Sequence, residues 1–127
     1  MKILFVEDNV LNQKVVTFHL RKYNFEVVCV TNWREAMEEV KNTPPDLILM
    51  DIMLPEKNGF EITSEIREFE KNSGKSERIP IIALTANTLD NDKDKCIEAG
   101  MNDYLPKPFS PDELYSIIEQ FIKEINE

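Results

Sequence analysis

The sequence predicts an α/β fold, a doubly wound parallel sheet with helices on both faces. Three observations predict it. Short apolar runs and longer segments of helical spacing alternate five times along 127 residues. The apolar runs carry Ile, Leu and Val on consecutive positions, as strands buried on both faces do. No repeat, low-complexity stretch or linker interrupts the pattern, and the length suits one domain spanning residues 1–127 with a full core.

Each element can be justified in order. Strand-like runs fall at 2–6, 26–30, 46–51, 79–84 and 102–106, and helical spacing at about 10–23, 33–43, 59–72, 88–99 and 111–125. Asn9 is placed to cap the first helix. Trp33 opens the second as a packing residue, and Thr43-Pro44-Pro45 stops it. Pro55 and Gly59 break the chain after the third strand. The polar stretch from Glu70 to Arg78 reads as a solvated loop before the fourth strand. Gly100 suits the left-handed position at the end of the fourth helix. Ser110-Pro111-Asp112-Glu113 supplies a cap, a first-turn proline and acids at the positive end of the fifth.

Composition limits function. A formal net charge of -9 argues against nucleic acid, which calls for a basic face. No apolar run approaches the roughly 20 residues needed to cross a bilayer, so no membrane partner is expected. The first strand begins almost at Met1, without a charged leader and apolar signal core, and a cytoplasmic, free-standing protein is expected. Cys29 and Cys96 form no ligand-spaced cluster and are expected to be buried, reduced thiols. His19 has no partner cluster and reads as a helix-surface or packing residue.

The chemistry sits where the strands end. Leu47-Ile48-Leu49-Met50 delivers Asp51, Ile3-Leu4-Phe5-Val6 delivers Glu7-Asp8, and Ile81-Ile82-Ala83-Leu84 delivers Thr85. In open α/β sheets the carboxyl ends of the strands line the ligand crevice. Clustered carboxylates repel one another and are reconciled by a hard divalent cation, for which magnesium, bound through oxygen, is the natural candidate; manganese could substitute. A phosphate beside it needs cationic and hydroxyl partners, and Lys107 and Thr85 stand on the same rim. Lys107-Pro108 is a candidate cis peptide that would turn the chain sharply and aim the lysine inward. Aspartate can itself be the nucleophile of phosphoryl transfer, and Asp51 is assigned that role.

At this point the chain resembles a family. Val6-Glu7-Asp8-Asn9 with Asn12-Gln13, Met50-Asp51-Ile52-Met53-Leu54-Pro55 with Gly59, Leu84-Thr85-Ala86-Asn87, Ala99-Gly100-Met101-Asn102-Asp103-Tyr104 and Lys107-Pro108-Phe109 are similar, in order and spacing, to the motifs of response-regulator receiver domains of two-component signalling, the chemotaxis-regulator type of flavodoxin-like fold. The resemblance runs from about residue 2 to 124. It implies a sheet order of 2-1-3-4-5 and magnesium held by Glu7, Asp8, Asp51 and the Met53 carbonyl. It also implies phosphorylation on Asp51, with Thr85 and Lys107 contacting the phosphoryl group. Thr85 and Tyr104 are then switch residues, re-forming the surface of the fourth helix, fifth strand and fifth helix for a downstream protein target. A sensor histidine kinase or histidine phosphotransfer protein is the implied donor, docking on the first helix and the loop after the fifth strand.

Met53 and Asn87 flank the path of the hydrolytic water in such domains. Neither is an acid or base, so slow self-catalysed dephosphorylation of a switch, rather than turnover by an enzyme, is expected. Asn12-Gln13 and Thr85-Ala86-Asn87 look more like receivers attached to hybrid sensor kinases, while the start at Met1 favours a free-standing protein. Three other readings compete. A haloacid-dehalogenase-like phosphatase needs a second acid two residues after its nucleophile, where this chain has Met53. A flavodoxin needs a phosphate-cradling loop where this chain has Glu7-Asp8-Asn9. A metal-independent pseudo-receiver is disfavoured because every expected site residue is present.

Overall fold

The computed structural model describes residues 1–74, 78–85 and 90–126, and the side chains within these except at 90–92 and 123–126. Ten elements alternate: β1 (Lys2–Val6), α1 (Val10–Arg21), β2 (Glu26–Val30), α2 (Trp33–Asn42), β3 (Leu47–Asp51), α3 (Gly59–Asn72), β4 (Ile81–Thr85), α4 (Asp90–Ala99), β5 (Asp103–Pro106) and α5 (Pro111–Asn126). The strands form one parallel sheet in the order β2-β1-β3-β4-β5. This is the order that the resemblance implies.

Strand periodicity divides the core. Leu4, Ile48, Met50 and Ala83 point to one face and pack with Ala36 of α2, Ile62 and Ile66 of α3 and Cys96 of α4. Ile3, Phe5, Leu49 and Leu84 point to the other and pack with Val16 and Leu20 of α1 and Leu114 and Ile118 of α5. Successive strand residues face opposite sides, so the continuous apolar runs of β3 and β4 are needed on both faces, and both strands are buried throughout.

The helix starts follow their capping chemistry. The Asn9 side chain accepts from the Asn12 N–H and the Asn32 side chain from the Glu35 N–H. Asn58 and Glu61 form a reciprocal capping box. Ser110 and Glu113 do the same, each main-chain N–H donating to the other's side chain at 3.1 Å. Gly100 ends α4 at φ 104°, which a β-carbon would oppose.

Several boundaries differ from expectation. β4 begins at Ile81 and not at 79, because the Ile79 N–H donates to Glu70 (2.7 Å) and Pro80 has no N–H. It ends on Thr85, which therefore belongs to the strand. The stretch from Glu70, expected to be solvated, begins inside α3: Glu70 is 5% exposed and pairs with Arg67 at 2.7 Å. The expected start of the fourth helix at 88 lies outside the described residues. Cys29 is half-buried and Cys96 buried, and neither is in a disulfide. His19 lies edge-on to Phe18 on α1. No described helix is long and apolar enough to cross a membrane.

Candidate metal and phosphoacceptor site

Parallel strands all end on one rim, and that rim carries the chemistry. β1 runs into Glu7 and Asp8, β3 ends on Asp51, β4 on Thr85, and β5 leads into Lys107. Glu7, Asp51 and Thr85 are buried at 1%, 4% and 2% exposure, while Asp8 is exposed. A carboxylate oxygen from each of Glu7, Asp8 and Asp51 lies within 4.8 Å of the others.

The Lys107 ammonium stands between the two buried acids, 3.5 Å from Asp51 Oδ1 and 3.7 Å from Glu7 Oε1. The main chain places it. The Lys107 N–H donates to the Thr85 carbonyl at 2.6 Å, which continues the β4–β5 ladder past the strand end. The Lys107–Pro108 peptide is cis. Asp51 Oδ1 also accepts the Met53 N–H at 3.1 Å, so the chain turns back over the carboxylate. That turn is sealed by Gly59, whose N–H donates to the Ile52 carbonyl at 3.0 Å. A Cβ at Gly59 would lie 2.6 Å from the Asp51 carbonyl oxygen and 2.9 Å from the Ile52 Cα. Only glycine lets α3 start this close to β3.

Burial, followed by the neighbouring Asp51, pushes the Glu7 carboxyl above its ordinary range; the Asn12 amide and Lys107 pull it back only in part. One lysine therefore does not balance two buried acids and a third at the rim. A small, hard cation fits the donor set: three carboxylates from two strand ends, within a few ångströms and open to solvent at Asp8.

The remaining expected residues are placed as follows. The Met53 side chain is 74% exposed, with its main chain at the Asp51 carboxylate. Tyr104 is half-buried on β5 and packs against the core beneath α2, α3 and α4. Asn87, and Ala86 beside it, lie outside the described residues. Trp33 packs at the start of α2 with the Lys57 ammonium 4.3 Å from its ring centroid.

Asn12 and Gln13 reach the site, although sequence reasoning gave neither a role. The Asn12 amide donates to Glu7 Oε1 at 3.0 Å, and the Gln13 amide donates to the Glu7 carbonyl. The available signal was the Asn9 cap, which places residues 12 and 13 in the first turn of α1 directly after the acidic pair.

A parallel sheet with an aspartate, an acidic pair, a hydroxyl and a lysine gathered at its carboxyl rim is the arrangement of a receiver-type signalling module. The family model for the response regulator receiver domain matches residues 3–119, and the chain belongs to that family. It is 42% identical over 132 residues to hybrid signal transduction histidine kinase I of Dictyostelium discoideum, covering 99% of this chain and 8% of that protein. It thus spans less than a tenth of that relative. Among solved structures, the receiver domain of a sensor histidine kinase from Pseudomonas aeruginosa, with magnesium coordinated in its active-site cleft, superposes with a TM-score of 0.84 at 43% identity, over 96% of this chain and 97% of that one. The receiver domain of a Saccharomyces cerevisiae response regulator, crystallised with its histidine phosphotransfer protein, gives 0.89 at 37% identity, over 95% and 88%.

Proposed function

We propose that this receiver domain is a phosphorylation-activated switch, in which Asp51 takes a phosphoryl group from a phosphohistidine donor. The observation that carries the reading is the Asp51 carboxylate, 4% exposed at a strand end, with the Lys107 ammonium 3.5 Å away and two further carboxylates beside it. An isolated buried acid would be costly. This one is held in place by Lys107 and the Met53 N–H.

An Asp51 carboxylate oxygen attacks phosphorus, an O–P bond forms, and the P–N bond to the donor imidazole breaks with its electron pair leaving on nitrogen. Glu7, Asp8, Asp51 and the Met53 carbonyl are the residues to hold magnesium, or manganese in its place; the bound ion supplies positive charge to offset the carboxylates and the incoming phosphoryl oxygens. Lys107 and the Thr85 hydroxyl contact the phosphoryl group. The new charge on Asp51 draws both toward it, and Tyr104 follows by repacking within the α4–β5–α5 surface, where a downstream protein reads the state.

The donor's docking face is read from α1. Leu11, Val15 and Phe18 are 69%, 48% and 61% exposed at i, i+4 and i+7, an apolar stripe whose Val15 lines a cavity with Pro108 and Phe109 and which fits a partner helix. Resemblance to hybrid kinases supports a second placement, as the receiver module of such a kinase.

The reading is tested with a phosphohistidine-labelled phosphotransfer protein. Label should pass to the wild type in the presence of magnesium and not to Asp51→Asn. Transfer to both proteins would place the acceptor elsewhere.

A further inference from the structure

We infer that Asn12 is a positioning residue for the metal-binding cluster, its side-chain amide holding the Glu7 carboxylate in the rotamer that brings it beside Asp8 and Asp51. The inference rests on the proposed reading that this cluster holds a divalent cation, and it assigns a task to a side chain outside the ligand set.

Glutamate has three side-chain torsions, and ordering such a chain costs rotamer freedom. Something must hold Glu7. Its main chain is fixed without Asn12: the Glu7 N–H donates to the Val30 carbonyl at 3.0 Å, and its carbonyl accepts from the Gln13 amide. The carboxylate is a separate matter. Oε2 receives a long contact from the Asn9 N–H, at 3.4 Å, Lys107 stands 3.7 Å from Oε1, and the Asp51 carboxyl, of like charge, lies beside it. The Asn12 amide, 3.0 Å from Oε1, is the short, directed bond.

Asn12 is itself well anchored, since its N–H donates to the Asn9 cap at 3.0 Å. That bond uses main chain and survives truncation of the side chain. Asn12 is exposed, so its removal leaves no core cavity. The amide therefore links the first turn of α1 to the Glu7 carboxylate and can be deleted without dismantling either element. Residues that orient a ligand in this way commonly govern metal affinity by ten- to a hundredfold.

A double-mutant cycle on magnesium affinity tests this, with calorimetry on the wild type, Asn12→Ala, Glu7→Asp and the double variant. Unfolding midpoints serve as the check on folding. Asn12→Ala should weaken magnesium binding about tenfold or more. In the Glu7→Asp background, where the carboxylate is a methylene shorter and out of the amide's reach, Asn12→Ala should cost nothing further. Equal losses in both backgrounds would mean that Asn12 acts through the helix start, and would overturn the inference. So would unchanged affinity in Asn12→Ala. No magnesium binding by the wild type would overturn the inference and the proposed function together, whereas wild-type binding with an indifferent Asn12 overturns the inference alone.

Discussion

Lys107 stands between Asp51 and Glu7 at 3.5 and 3.7 Å; under the proposed function it would compete with a cation for the same carboxylates and also be the group that meets an incoming phosphoryl. These two tasks predict opposite effects of one substitution. Lys107→Met should bind magnesium more tightly, because a rival charge is gone, and should accept phosphoryl groups ~100-fold more slowly, as when one stabilising donor is lost from a charged transition state. Titration calorimetry and the time course of phosphorylation check the two halves. The residues gathered at the rim were legible, because Asp51, Glu7, Asp8 and Thr85 each stand at the end of an apolar strand run. Asn12 was not. Its role depends on where the first turn of α1 points relative to β1, and a lone amide carries no pattern of its own.

Elements were legible where local chemistry decides them and less so where distant partners do. Caps at Asn9 and Ser110 mark starts that the structure keeps. The start of β4 moved because Glu70, nine residues earlier on α3, takes the Ile79 N–H. No strand pattern announces such a bond. Glu70 also pairs with Arg67, which donates onward to the Gly100 carbonyl at 2.9 Å and to Asn102 at 2.9 Å, tying α3 to the end of α4 and the entry of β5. Both partners are nearly covered, at 11% and 7% side-chain exposure. Arg67→Met should therefore destabilise by about 3 kcal/mol, since a buried carboxylate loses its counter-charge; urea unfolding measures it.

The start of α2 adds a pH dependence. Glu35 is held below its ordinary range first by the Thr31 hydroxyl (2.7 Å), then by the Thr31 N–H. A depressed folded pKa gives stability that is present above the unfolded value and lost as pH falls through the folded one. Thr31→Val should thus be less stable than wild type at neutral pH, with the gap closing below about pH 4.5. Unfolding midpoints across a pH series would show it.

At the scale of the whole molecule, the order β2-β1-β3-β4-β5 places β1 and β3 side by side, so Glu7-Asp8 and Asp51 must share one end of the sheet. Alternation and burial predicted the parallel layers; adjacency of strands came from the family resemblance, because composition does not encode strand order. The carboxylate cluster is a local concentration of charge in a chain of net -9, and apo stability should suffer for it. Magnesium should raise the unfolding temperature, by a free energy of ~2.7 kcal/mol at a hundredfold excess over its dissociation constant. Asp8→Asn should lose that response while gaining stability without metal. Sodium at matched ionic strength separates binding from screening.

The most direct measurement of the central claim is the intact mass of the wild type and Asp51→Asn after incubation with a small acyl-phosphate donor, with magnesium and with a chelator. The wild type should gain one phosphoryl group with magnesium and none with chelator, and Asp51→Asn should gain none in either condition. A phosphoryl group on Asp51→Asn, or equal modification of the wild type without the metal, would contradict that claim.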